Sequence, residues 1–216
     1  MRKWIKRTLA PTDIRDRRIL FGPAAGLTMR IDPSTDLRFW LGVHEIELAP
    51  FFRRLVYPGA RSFDIGAAEG YQALIIARLS EQPVVVFEPG EVWRDILVSN
   101  MKLNGYKVTL EQVFVSASTA GSSSTIDIMA EKHFTPDFIK MDIEGAETDA
   151  LAGATKVLSD RKPHMIVEVH GTKVEQVCLK ILRSHGYHPR VVNPRWWLRE
   201  HRPLKNNRWL ICEGHE

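Results

Sequence analysis

In the stretch Ser62–Tyr71, SFDIGAAEGY, an acid stands two residues before Gly66 and a second glycine, Gly70, follows four residues later, all at the end of an apolar run. Glycine leaves the backbone bare, so a loop of this composition lets main chain come close to a ligand. Open α/β sheets bind ligands outside the carboxyl ends of their strands, and this loop closes a strand-like run and opens a helix-like one. The spacing Gly66-x-Ala68-x-Gly70 departs from the G-x-G-x-x-G of dinucleotide sites. Asp64 also aims a carboxylate at the place where a pyrophosphate would rest, which repels phosphate and attracts a cation.

S-adenosylmethionine, with an ammonium and a sulfonium, meets that requirement. The expected contacts from the loop are Asp64, Gly66, Ala67, Ala68, Gly70 and Tyr71. Glu88 lies 18 positions beyond Gly70 at the end of VVVFEP, where an acid accepts both ribose hydroxyls, and Pro89 follows it. Ser116, at the end of the next strand-like region, and Asp142 complete the expected cofactor set.

A second acidic cluster, IKMDIEGAE, places Lys140, Asp142, Glu144 and Glu147 around the end of another strand-like run. Strand alternation predicts that Lys140, Asp142 and Glu144 point together toward the cleft, with Gly145 turning the chain into a helix. Asp142 and Glu144 are the expected catalytic acids; Glu147 also suits a helix N-terminus by charge alone. His170 ends MIVEVH and is the candidate general base, since an ordinary imidazole titrates at about 6.5. Glu168 precedes it on the same strand face. Asp142, Glu144 and Glu168 offer oxygens of the kind magnesium or calcium prefers, but the expectation is a site without metal.

The surrounding pattern supplies the frame for these residues. EIELAPFFRRLV, YQALIIARLS, EVWRDILVSNMKLNGY, AETDALAGATKVLS and VEQVCLKILRSHGY have helical spacing, and Asn104-Gly105 closes the third of them. ARSFDI, PVVVFEP, KVTLEQVFVSAS, DFIKMDI and HMIVEVH read as strands, with TAGSSSTID as a polar loop. Strand and helix in alternation predict a parallel sheet with right-handed crossovers, and runs as apolar as VVVF predict helices on both faces. After Gly186, HPRVVNPRWWLR and NNRWLICE predict an antiparallel C-terminal hairpin at the sheet edge.

The blocks DIGAAEGYQALIIA, VVVFEPG, DFIKMDIEGAETDALAG and MIVEVH resemble the FkbM family of S-adenosylmethionine-dependent methyltransferases. FIKMDIEGAE is the most specific of them, and the resemblance runs from about residue 42 to 170, with LGVHEIELAPFFRRLVYPG similar to the family's opening segment. It implies an α/β, Rossmann-like class I methyltransferase fold with S-adenosylmethionine as cofactor. It also implies O-methylation of a hydroxyl or carboxyl group on a sugar, glycolipid or natural product. The family usually has Asn where this chain has Ala68.

Length and composition agree with one domain. A chain of 216 residues, 44% hydrophobic, buries one good α/β core, divided here into a basic N-terminal segment, 1–41, and a methyltransferase domain, 42–216. The charge of +4 is concentrated at the two ends, as a solvated face would carry it, and no nucleic-acid partner is expected. The partner expected is a small-molecule or glycan acceptor. Cys178 and Cys212 make neither a disulfide framework nor a metal spacing, and the N-terminal run is broken by charge. A cytoplasmic protein without stable membrane insertion is expected, with Trp4, Ile5 and Leu9 as the residues that would touch a membrane surface. Trp196 and Trp197, among arginines, suit stacking on a sugar ring or packing at a sheet edge. Two competing functions share this fold: an NAD(P)-dependent oxidoreductase, favoured by the Asp64–Glu88 layout, and a non-catalytic module that docks an anionic polymer or membrane.

Overall fold

The computed structural model describes residues 13–34, 37–196 and 207–214, so Trp4, Ile5, Leu9 and Trp197 lie outside the described residues. In chain order the elements are β1 (Arg15–Arg18), β2 (Thr28–Ile31), α1 (Leu37–Leu41), a 3-10 turn (Ile46–Leu48), α2 (Ala49–Leu55), β3 (Ser62–Ile65), α3 (Tyr71–Ser80) and β4 (Val84–Phe87). Then come α4 (Glu91–Leu103), β5 (Val108–Glu111), β6 (Phe114–Val115), β7 (Ser123–Ser124), α5 (Ile126–Lys132), β8 (Phe138–Met141) and α6 (Glu147–Ala152). A π-turn (Val157–Arg161), β9 (His164–His170), α7 (Thr172–Ser184), β10 (Arg190–Val192) and β11 (Asn207–Cys212) complete the chain.

Seven strands form the central sheet in the order β10-β11-β9-β8-β3-β4-β5. Every residue of β3, β4 and β8 is buried, as expected of strands covered on both faces. Alternation divides the core: Val84, Val86, Phe138 and Ile166 face Phe52, Tyr71, Leu74 and Leu97 from α2, α3 and α4. Phe63, Ile65, Ile139 and Val167 face Ala130, Leu151, Cys178 and Leu182 from α5, α6 and α7. Cys178 and Cys212 are buried free thiols in this second layer. The β1–β2 hairpin packs Met29 and Ile31 into the first layer. Asn100 of α4 and Asn104, the residue just past its end, hold it there, accepting from the Arg30 N–H at 2.9 Å and the Thr28 N–H at 2.8 Å.

The expected antiparallel C-terminal hairpin lies at the sheet edge, with β11 between β10 and β9 and β10 outermost, and two other expectations require revision. Because β11 is antiparallel to both neighbours, β10 runs with the rest of the sheet and β11 alone is inverted. The polar loop ends sooner than its composition implies: β7 pairs with β6, and α5 starts at Ile126 with the Thr125 hydroxyl accepting from the Ile128 N–H at 3.1 Å. Thr125 was the N-cap signal for that helix. The helix over 146–159 breaks at Gly153, where a Cβ would lie 2.2 Å from the Ser116 carbonyl oxygen, so the chain gives up helix for a close backbone crossing.

Candidate active site

The ends of β3, β4 and β8 open on a cleft of about 440 Å³. Its floor is Gly66, Ala68, Glu88 and Asp142, and its walls are Ile65, Phe87, Val113, Val115 and Ile143, with Trp93 and Phe114 at the rim. Glu88 is fixed by its neighbours' backbone. Its Oε2 accepts from the Ala68 N–H at 2.9 Å and its Oε1 from the Gly90 N–H at 2.7 Å. Each oxygen keeps a lone pair for a ligand hydroxyl. Ala68 reaches Glu88 with φ 43°, a left-handed conformation that Asn tolerates better than Ala.

The glycine loop meets the β8 loop more tightly than a ligand role requires. A Cβ on Gly66 would lie 1.8 Å from the Asp142 carbonyl oxygen, and one on Gly70 would press Leu97 at 3.1 Å. Gly66 therefore serves first to bring Asp142 beside the loop, and Gly70 to seat α3 against α4.

Below this floor lies a buried polar cluster. Asp64 is 1% exposed and pairs in register with Lys140 across β3 and β8. Burial pushes the Asp64 carboxyl up to about 7, against the pull of the Lys140 charge and with repulsion from Asp142, Glu45 and Glu88 added. Its Oδ2 has no hydrogen-bond partner. Lys140 Nζ lies 3.6 Å from Asp142 Oδ2. His170, its side chain 5% exposed, donates from Nδ1 to Glu147 Oε1 at 2.7 Å and turns Nε2 toward Asp142 Oδ1 at 3.5 Å and Glu168 Oε1 at 3.7 Å. Burial would lower the His170 pKa, but the Glu147 hydrogen bond and the charges of Asp142, Glu147 and Glu144 hold it above its ordinary value. Burial would likewise raise that of Glu147, yet the His170 hydrogen bond and the Gly145 N–H, donating at 3.0 Å, keep it below the usual range.

Of the residues named from sequence, Gly66, Ala68, Glu88, Pro89, Ser116, Asp142 and Glu144 line the cleft. Asp64, Ala67 and Tyr71 are buried beneath it, and Gly70 and His170 also lie outside its lining. The face shared by Lys140, Asp142 and Glu144 does not form: β8 ends at Met141, Lys140 is buried, and Glu144 sits exposed in a left-handed turn at φ 51°. Sequence reading missed Trp93, Val113, Phe114 and Ile143. Trp93 and Phe114 are exposed aromatics, at 43% and 56%, which only the structure reveals.

Residues 119–189 match the family model described as Methyltransferase FkbM domain. The resemblance read from FIKMDIEGAE is borne out over that stretch. Among solved structures, the methyltransferase FkbM of Methylobacillus flagellatus KT shares 18% identity at a TM-score of 0.58, over 78% of this chain and 52% of that one. A SAM-dependent O-methyltransferase of Thermotoga maritima shares 16% at 0.57, over 81% and 67%. Fibrillarin of Aeropyrum pernix, in complex with natively bound S-adenosyl-L-methionine, shares 14% at 0.52, over 74% and 68%. The likeness at these identities is one of fold, the Rossmann-like α/β fold of methyltransferases. The chain spans about half the length of the Methylobacillus protein. No curated protein matches the chain. Among the described residues, no helix is long and apolar enough to cross a membrane.

Proposed function

From the match of residues 119–189 to the FkbM methyltransferase domain model, we propose that this protein is an S-adenosylmethionine-dependent O-methyltransferase. Its acceptor is a hydroxyl or carboxyl group on a sugar, glycolipid or natural product. The observation that carries this reading is Glu88, a carboxylate held by two backbone N–H groups on the floor of an otherwise largely apolar cleft. The donor set fits the cofactor. Phe87, Val113 and Val115 suit a purine, Glu88 suits a ribose diol, and the carboxylates of Asp142 and Glu144 in the lining suit a cationic head.

S-adenosylmethionine supplies, when bound, a methyl group on a sulfonium that an oxygen can displace. The protein's task is then alignment and proton removal. Gly66 sets Asp142 at the cleft end, and Lys140, 3.6 Å from its Oδ2, attracts and orients that carboxylate. Asp142 positions the acceptor oxygen, and Glu144, exposed on the lip, takes its proton. His170 lies behind Asp142 and acts on the acceptor through it rather than by touching it.

Titration calorimetry with S-adenosylhomocysteine tests the cofactor, and saturable one-to-one binding is expected. A folded sample without binding would remove this reading. Mass spectrometry of extracts treated with deuterated-methyl cofactor then identifies the acceptor.

A further inference from the structure

We propose that Asp142, Glu168 and His170 form a site for a first-row divalent cation, its open coordination position turned to the cleft. The site deepens the methyl-transfer reading above and rests on it for its purpose, though not for its existence.

The three groups offer one atom each, all within 4.8 Å of one another. Those nearest His170 Nε2 are Asp142 Oδ1 at 3.5 Å and Glu168 Oε1 at 3.7 Å. These separations are long for hydrogen bonds. They match ligands sharing an ion, since bonds of about 2.1 Å at a tetrahedral angle put neighbouring donor atoms roughly 3.4 Å apart.

An independent feature points the same way: each group's other polar atom is occupied by a supporting partner. His170 Nδ1 donates to Glu147, which fixes the tautomer and leaves Nε2 for an ion, the arrangement that backs most metal-bound histidines. Glu168 Oε2 accepts from Trp209 Nε1 at 3.1 Å, and Asp142 Oδ2 faces Lys140 Nζ. A salt-bridge cluster alone would draw Nε2 to one acid at hydrogen-bond distance, as Nδ1 is drawn to Glu147.

One imidazole with two carboxylates suits Mn²⁺ or Zn²⁺ better than Ca²⁺. Three protein ligands leave room for water or substrate, as in catalytic sites. Asp142 alone of the three lines the cleft, so the open position faces the acceptor oxygen. Glu144, an oxygen ligand by sequence, is not part of the set, and His170 takes its place.

The test is Mn²⁺ titration of the chelator-stripped full chain, read by electron paramagnetic resonance. Saturable one-to-one binding is expected. Glu168→Gln, which keeps the Trp209 acceptor, and Glu147→Gln should each weaken binding about 10- to 100-fold, and Glu144→Gln should leave it unchanged. No saturable binding by the wild type, or equal affinity in Glu168→Gln, overturns the proposal. S-adenosylhomocysteine binding, measured alongside, separates the two readings: cofactor binding without Mn²⁺ binding sinks only the cation site, and the reverse sinks only the cofactor.

Discussion

Asp64 and Glu88 are two acids near one cleft with opposite environments. Asp64 binds a proton up to about pH 7 in the fold but releases it near 3.8 when unfolded. A raised carboxyl pKa means that the native state holds more protons across that interval, so stability falls as pH rises from about 4 to 7. Asp64→Asn removes the effect. Its stability relative to wild type should improve by about 2 kcal/mol between pH 5 and pH 8 in urea melts. A difference that stays flat with pH would mean that Asp64 ionises normally. Glu88→Ala should weaken S-adenosylhomocysteine binding about 10- to 100-fold with little change in melting temperature, as loss of charged hydrogen bonds to a ligand does. Calorimetry beside a thermal melt decides it. Both acids were legible as residues ending apolar runs. That one is exposed to the ligand and the other sealed under it was not, because depth depends on which helix covers the strand end.

At the scale of elements, α5 shows where sequence patterning loses resolution. Seven residues make two turns, too few for periodicity to separate helix from loop. The helix is held from outside: Glu111, at the end of β5, accepts from Lys132 Nζ at 2.7 and 2.9 Å and bonds His133 Nε2 at 2.7 Å. Burial would raise the Glu111 pKa, but these partners keep it below the usual carboxylate range. Its support is therefore present above the unfolded pKa and lost as pH falls through the folded one. Glu111→Ala should cost about 1 kcal/mol at pH 7, since Lys132 is half-exposed. Amide exchange across 126–132 should quicken more than across α4; uniform exchange would show that α5 stands without this anchor. The longer elements α3, α4 and α7 needed no such help to be read, since each carries enough turns to show an apolar stripe.

Over the whole molecule, the end of the sheet opposite the cleft depends on Asp137. It accepts from the Arg61 N–H at 2.9 Å and Arg161 Nε at 3.1 Å, with a further bond from Arg161 Nη2. These bonds join the starts of β3 and β8 to the π-turn before β9. Desolvation would raise the Asp137 pKa, but the Arg161 and Arg61 partners hold it below the usual range. A depressed carboxyl stabilises the fold above its unfolded pKa and ceases to do so as pH falls through the folded value. Asp137→Asn should thus cost about 2 kcal/mol at pH 7 and much less at pH 3. Equal losses at both values in urea melts would refute that account.

What the sequence alone determined was the class of fold and the ligand-bearing ends of its strands. Short apolar runs such as VVVF, helical stripes of ten or more, and acids at strand ends are local signals that burial and charge make hard to disguise. Tertiary structure alone decided that Gly66 yields to the Asp142 carbonyl, that β11 inserts inverted beside β9, and that Asp142, Glu168 and His170 converge. Each of these is a contact between residues far apart in the chain or across a strand end, where alternation stops and only packing chooses the direction of a side chain.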